Sequence, residues 1–127
     1  MQSAIFLVGR ILFGGYFIYS GINHFRMLQP MAGYAQAKGI PAAKPAVAFT
    51  GLLLLIGGVS VLLSLYPTIG AAALVIFLVP VTFTMHAYWK VKDPLAQMAE
   101  KVNFMKNIAL LGAALLLLAI PQPWSLI

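Results

Sequence analysis

One apolar stretch decides the fold of this chain: Ala42–Leu65, which reads AAKPAVAFTGLLLLIGGVSVLLSL. Its only charged residue is Lys44, close to its start. A helix of this length spans the ~30 Å hydrocarbon core of a bilayer, because each residue adds ~1.5 Å. Lipid offers the backbone no hydrogen-bond partner, so a continuous apolar segment of this kind is expected to be an α-helix.

Three further apolar stretches fill most of the 127-residue chain: Ser3–Ile22, Thr68–Tyr88 and Val102–Ile120. Together the four predict an all-α membrane protein, an antiparallel bundle of four transmembrane helices forming a single domain over residues 1–127. Hydrophobic residues make up 62% of the chain and charged residues 8%, whereas a soluble domain has about 25% charged residues. The lipid bilayer is therefore the first expected partner.

The connections between the stretches carry the turn and cap signals. In the first connection, residues 23–44, Pro30 and Gly39-Ile40-Pro41 mark the start and end of a short helix, expected to lie on the membrane surface. In the third, residues 90–101, Asp93-Pro94 has the pattern of a helix cap followed by proline. The second connection is short and uncharged.

Positive charge is concentrated around the first and third connections. The basic residues there are Arg26, Lys38, Lys44, Lys90, Lys92, Lys101 and Lys106. By the positive-inside rule, we expect both loops in the cytoplasm and both termini outside a bacterial-type inner membrane. Anionic lipid head groups account for the net charge of +6, so no nucleic-acid partner is expected. The N-terminus lacks a basic region, which indicates a retained first helix rather than a signal peptide.

Small residues and proline within the stretches predict how the helices pack. Glycines recur in the first two stretches and favour close helix contacts. Pro80 is expected to kink the third helix, with Thr82 or Thr84 bonding the carbonyl that it frees. Trp124 follows the last stretch and is expected at the outer membrane interface.

Several polar residues fall in or at the ends of the spans, where they are costly and hence candidates for function. Arg10, Gly14, Phe17, Gly21 and His24 follow a 4-3-4-3 spacing that places them on one helix stripe. Arg10 either extends to the lipid head groups or faces the bundle, where it would orient a ligand or lock the helices. The candidate ligand-binding residues are Arg10, His24, His86, Trp89 and Asn107, with Asn23 and Asp93 beside them at the cytoplasmic mouth.

Three interpretations of this cluster stay open. Histidine and tryptophan are common at head-group depth, where their polar and apolar ends are both accommodated. Alternatively, imidazoles and the Trp89 ring bind a quinone or another flat ligand. A third interpretation is haem ligation by His24 and His86, which is disfavoured because both lie near the edge of the apolar core. No other metal site is expected, since the chain has no cysteine for thiolate or iron–sulfur ligation.

The residues also resemble a known family. The segments that carry the resemblance are Arg10 with Ser20-Gly21-Ile22-Asn23-His24-Phe25, Gly39-Ile40-Pro41, Phe77-Leu78-Val79-Pro80, Met85-His86-Ala87-Tyr88-Trp89 with Asp93-Pro94, and Phe104-Met105-Lys106-Asn107. They resemble the DoxX family over essentially the full chain. Many relatives carry a glutamate just before the paired glycines of the second helix; here Leu54-Leu55-Ile56 precedes Gly57.

The resemblance implies a small four-helix inner-membrane protein. DoxX relatives include subunits of a membrane thiosulfate:quinone oxidoreductase and proteins of oxidative-stress complexes. The leading hypothesis is therefore a small subunit of a redox-linked, quinone-associated complex, with other membrane subunits or a second copy as partners. A structural subunit that fills space in a larger assembly is the alternative, and a lipid-handling or transport protein is the third. Whether the chain itself catalyses a reaction is left open.

Overall fold

The computed structural model describes residues 2–124, and this range is almost entirely helical. The α-helices in it are α1 Gln2–Arg26, α2 Leu28–Ala37, α3 Ala43–Leu63, α4 Pro67–Met85 and α5 Pro94–Leu118. A 3-10 turn, Tyr88–Lys90, links α4 to α5, and the described residues contain no strand. Four helices, all except α2, are long and apolar enough to cross a membrane. The prediction of an all-α protein with four spans is confirmed.

The short helix α2 lies in the first connection, as its proline and glycine signals predicted. Gly39 has a φ of +87°, in the left-handed region that glycine adopts without steric cost. The chain turns there, and the Ile40 amide donates to the Ala35 carbonyl at 3.1 Å. We call the end of the bundle where α2 lies, where α1 and α4 stop and α5 starts, the α2 end. The membrane-surface position of α2 stays a prediction.

Helix α5 begins earlier than the apolar pattern indicates. The Asp93 carboxylate accepts a hydrogen bond from the Ala96 amide at 3.0 Å, and Pro94 occupies the first turn. The cap prediction is confirmed, but residues 94–101 are helical and not part of a loop. Apolar periodicity marks where a helix is buried in lipid, whereas the cap decides where it starts. Because α5 begins at Pro94, Glu100 lies on this helix, and its side chain is buried.

Glycine contacts fix the crossing of α1 and α3. A Cβ added to Gly14 would lie 2.7 Å from the Gly58 carbonyl oxygen, and one added to Gly58 would lie 2.8 Å from the Gly14 oxygen. Both distances are too short for any side chain, so the two backbones touch at this point. Such contact gives membrane helices the dispersion energy that holds them together, as the glycine pattern predicted.

The long helices pack in sequence order. Helix α1 packs along α3, α3 along α4 and α4 along α5, whereas α1 and α5 make little direct contact. The centre of the bundle is filled by Phe17, Leu54, Leu74 and Leu78, each at most 1% exposed. The bundle is thus tight on three sides and loose on the fourth, between α1 and α5.

Of two local expectations from the sequence, one stays a prediction and one is wrong. Trp124 is 8% exposed, and its ring packs edge-on against Phe6 with centroids 5.2 Å apart; its position at the outer membrane interface stays a prediction. Pro80 does lie inside α4, but Thr84 donates to the carbonyl of Pro80 itself at 2.7 Å, since a threonine hydroxyl reaches back one turn.

Candidate functional site

A cavity of about 400 Å³ opens among the helices toward the α2 end. We call it the central cavity. Its apolar wall includes Phe17, Phe77, Leu78, Val81 and Leu110. Its polar wall comprises Tyr16, Ser20, His24, Tyr34, Thr50, Thr84, His86, Lys106 and Asn107. Every α-helix contributes residues to this wall. Three of its polar residues, His24, His86 and Asn107, are candidates that the sequence indicated.

His24 is held in one orientation by α3. Gly51 allows the close approach, since a Cβ there would lie 2.7 Å from the Cβ of His24. Nδ1 of His24 lies 3.0 Å from the Val47 carbonyl oxygen. Because a carbonyl only accepts, Nδ1 carries the hydrogen and donates. The neutral ring therefore keeps Nε2 as an acceptor, on a side chain that is 7% exposed and lines the central cavity.

His86 is held by a carboxylate that sequence reasoning missed. Its Nδ1 lies 3.0 Å from Oε1 of Glu100, which also accepts a hydrogen bond from the Asn103 amide at 3.2 Å. Oε2 of Glu100 accepts from Lys38 at 2.6 Å and from the Tyr34 hydroxyl. Glu100 is 7% exposed. These five side chains form what we call the Glu100 network, which ties α2 to α5 and to the end of α4.

Tyr34 remains a hydrogen-bond donor in this network. Burial raises the pKa of Tyr34, and the hydrogen bond to Glu100 and the negative charge of that carboxylate raise it further. The phenol therefore keeps its proton at neutral pH. A signal for the network was present in the sequence: Tyr34 and Lys38 are one helical turn apart on α2, and the Asp93 cap implies that Glu100 is helical.

Asn107 is 6% exposed and lines the central cavity with His24 and His86. The structure does not bring Trp89 there. Its ring is 51% exposed and packs edge-on against Phe104, with centroids 5.6 Å apart. The 3-10 turn that follows α4 carries Trp89 away from the helix face on which the sequence placed it.

The remaining candidates lie elsewhere. Arg10 is 2% exposed, with its guanidinium carbon 5.3 Å from the centre of the Phe6 ring. It faces the bundle and does not extend to the head groups, yet it lies toward the outer end, outside the residues that line the cavity. Asp93 serves as the α5 cap, and Asn23 is half-buried without lining the cavity. Within residues 2–124, no three histidine or acidic side chains gather as a metal site would require.

The cavity and its histidines fall largely within a segment that other proteins share. The family model of DoxX matches residues 5–87, which cover most of α1 and all of α2 to α4 and include His24 and His86. No curated protein and no solved structure gives a significant match to the chain. The matched segment is well over half of the 127 residues. The chain therefore belongs to the DoxX family of multi-pass membrane proteins.

Proposed function

We propose that this protein is a small inner-membrane subunit of a redox-linked complex, and that its central cavity binds the head group of a quinone. The supporting observation is the cavity wall, which is mostly apolar and aromatic but presents His24, His86 and Asn107. Small-molecule sites have this composition and volumes of about 300–1,000 Å³. The cavity, at about 400 Å³, fits that range.

Asn107 and His24 have distinct roles in this proposal. The Asn107 amide donates a hydrogen bond to a quinone carbonyl. His24 uses Nδ1–H for the Val47 carbonyl, so its Nε2 accepts a hydrogen bond from a quinol hydroxyl. The Phe17 and Phe77 rings in the wall supply the flat apolar surface that the sequence had assigned to Trp89. Arg10 locks the outer end of the bundle.

The proposal requires a partner protein. The chain has no cysteine with which to hold an iron–sulfur cluster. Electrons for a quinone bound here would come from a redox subunit docked beside the bundle. The charge pattern favours a cytoplasmic position for α2 and for residues 90–101, with both termini on the other side of the inner membrane.

One observation favours the alternative, a structural subunit. Leu95, Met98 and Val102 share a face at the start of α5 and are 76%, 62% and 62% exposed. Leu95 and Met98 continue the apolar surface from the start of the predicted span at Val102 into the most polar part of the chain. A neighbouring subunit that covers this face would make the protein a spacer, whatever the cavity holds.

Binding of short-tailed ubiquinone and menaquinone analogues to the protein in lipid nanodiscs tests the proposal. His24→Leu and Asn107→Leu are expected to weaken binding about tenfold or more, the effect of losing one well-placed polar contact. Met98→Leu, on the outer face of α5, is the matched control and should bind as the unmodified protein does. Quinone binding that neither cavity substitution weakens, or no binding at all, would contradict the proposal and favour the structural role.

A further inference from the structure

The gap between α1 and α5 is bridged by two polar side chains. Nζ of Lys106 on α5 donates a hydrogen bond to the Tyr16 hydroxyl on α1 at 3.1 Å, and it lies 5.7 Å from the centre of the Tyr16 ring. Both residues are exposed on the outside and also line the central cavity. Because α1 and α5 otherwise make little contact, this pair stands where the cavity meets the surrounding lipid.

The Lys106 ammonium is bonded across the opening between α1 and α5. Lysine side chains in membrane helices normally extend toward the nearest head groups. Here the amine is held at the level of Tyr16, which lies about 15 Å from Arg26 along the axis of α1, at ~1.5 Å per residue. Arg26 marks the α2 end of that helix. The hydrogen bond to Tyr16 therefore holds the amine at this level of the bundle, across the opening between α1 and α5.

The cavity wall gives this cation no carboxylate partner. Among the described lining residues, Lys106 is the one lysine or arginine, and none is aspartate or glutamate. Glu100 lies outside the lining and is bonded to Lys38, Tyr34, His86 and Asn103. A ligand oxygen that accepts hydrogen bonds would therefore be favoured at Lys106, where it can replace the neutral Tyr16 hydroxyl.

We infer that the Lys106–Tyr16 pair is the lateral entrance of the central cavity and that Lys106 binds the head group of the ligand. The ligand class is an apolar-tailed molecule with an acceptor oxygen on its head, and the proposed function makes it a tailed quinone. It enters from the bilayer between α1 and α5, displaces Tyr16 from the amine, and leaves its tail in the lipid. This inference rests on the proposed function. It adds the route of entry and a donor, Lys106, for the quinone carbonyl that Asn107 does not bind.

The cysteine-free chain permits a reversible test of the entrance. Tyr16→Cys and Lys106→Cys are combined and joined by a reducible bis-methanethiosulfonate linker, and uptake of a short-tailed quinone into nanodisc-embedded protein is timed. Linking is expected to slow uptake about tenfold or more relative to the unlinked double variant, since it obstructs the route. Reduction should restore the rate of that variant, which lacks the Lys106 contact in both states. The control is the pair Thr68→Cys and Gln122→Cys, two exposed residues in contact away from the cavity, where linking should change nothing.

Substitution of the lysine tests the head-group contact. Lys106→Gln should raise the dissociation constant of the quinone about tenfold, because a charge-assisted hydrogen bond becomes a neutral one, while Lys106→Arg should largely retain affinity. Quinone binding that is unaffected by both the linker and Lys106→Gln would overturn the inference and leave the proposed function standing.

A spin-labelled fatty acid is the second probe. If it binds with the same dependence on Lys106 and the quinone does not, the entrance is supported and the quinone assignment falls. If neither probe binds, the inference about the entrance and the proposed function are both wrong.

Discussion

Nδ1 of His86 lies 3.0 Å from Oε1 of Glu100, so the histidine beside the central cavity is held by a carboxylate on the following helix. The other oxygen of Glu100 accepts from Lys38 and Tyr34. One buried side chain thus links the cavity wall to the short helix α2. The position of α2 over the cavity depends on this network, which gives the first prediction.

Glu100→Gln is expected to loosen α2. The amide carries no charge to pair with Lys38, and its NH₂ group faces side chains that donate. Removal of one member of a fully buried ion pair costs about 3–5 kcal/mol. Because the Lys38 side chain is 23% exposed, we expect about 1–3 kcal/mol in the free energy of unfolding. Faster proteolysis within residues 28–41 should accompany it.

Asp93→Asn is the control for that loss of charge. Asparagine caps a helix about as well as aspartate, and Asp93 is exposed, so stability should change little. If α2 in the Glu100→Gln variant resists protease as well as in the unmodified protein, the network does not hold the helix.

Substitutions at the neighbouring residues Gly14 and Gly15 form a matched pair that tests the glycine contact between α1 and α3. Gly14→Ala places a methyl group 2.7 Å from the Gly58 oxygen, so the helices must separate, whereas at Gly15 nothing lies within 4 Å of the added Cβ. We expect Gly14→Ala to cost about 1–3 kcal/mol through overpacking. Gly15→Ala should be neutral or stabilising by up to about 1 kcal/mol. Thermal unfolding in detergent measures both; equal midpoints would contradict the packing described.

Alkaline pH should weaken the docking of α2 through Tyr34. Its pKa is raised by burial first, and then by the hydrogen bond and the charge of Glu100. The unfolded chain loses this proton at lower pH than the folded protein. The stabilisation is therefore complete below the ordinary tyrosine pKa of 10.0 and is lost as the pH rises above that value.

Tyr34→Phe removes the stabilisation that is lost when Tyr34 ionises. The melting temperature of this variant should therefore fall less steeply above pH 10.0 than that of the unmodified protein. The exposed Tyr66, changed to phenylalanine, should leave the slope unaltered. Parallel curves for Tyr34→Phe and the unmodified protein would show that Tyr34 does not titrate as the network requires.

Single cysteines test the proposed orientation, because the chain has none of its own. Lys92→Cys should react with a membrane-impermeant maleimide in inside-out vesicles only. Leu65→Cys, at the turn between α3 and α4, should react in right-side-out vesicles only. The reverse pattern would place α2 and residues 90–101 outside the cell and reject the positive-inside assignment.

The sequence predicted the spans and the caps because both depend on local chemistry. An apolar stretch such as Ala42–Leu65 has to be helical in lipid wherever its neighbours lie. Asp93-Pro94 starts a helix through bonds to its own next turn. The glycine contacts were also predictable as a class, although the pairing of Gly14 with Gly58 was not.

The Glu100 network was beyond local reasoning because it joins side chains from three separate segments of the chain. Glu100 lies in the predicted third connection, residues 90–101, outside the apolar stretches, so no local pattern assigned it a partner. Trp89 was misplaced for a related reason: helical spacing put it on the His86 face, but α4 ends at Met85 and the next residues turn away. Arg10 and His24 do share a stripe, yet the length of α1 separates them.

Photolabelling most directly tests the claim that the cavity is a quinone site. A short-tailed azidoquinone is activated with the protein in nanodiscs, and the labelled residues are identified by mass spectrometry. We predict labels on residues 16–24 of α1 and 77–81 of α4, which are suppressed by excess unlabelled quinone and by Lys106→Gln. Labels confined to lipid-facing positions such as Leu12 and Leu116, and insensitive to competitor, would contradict the account.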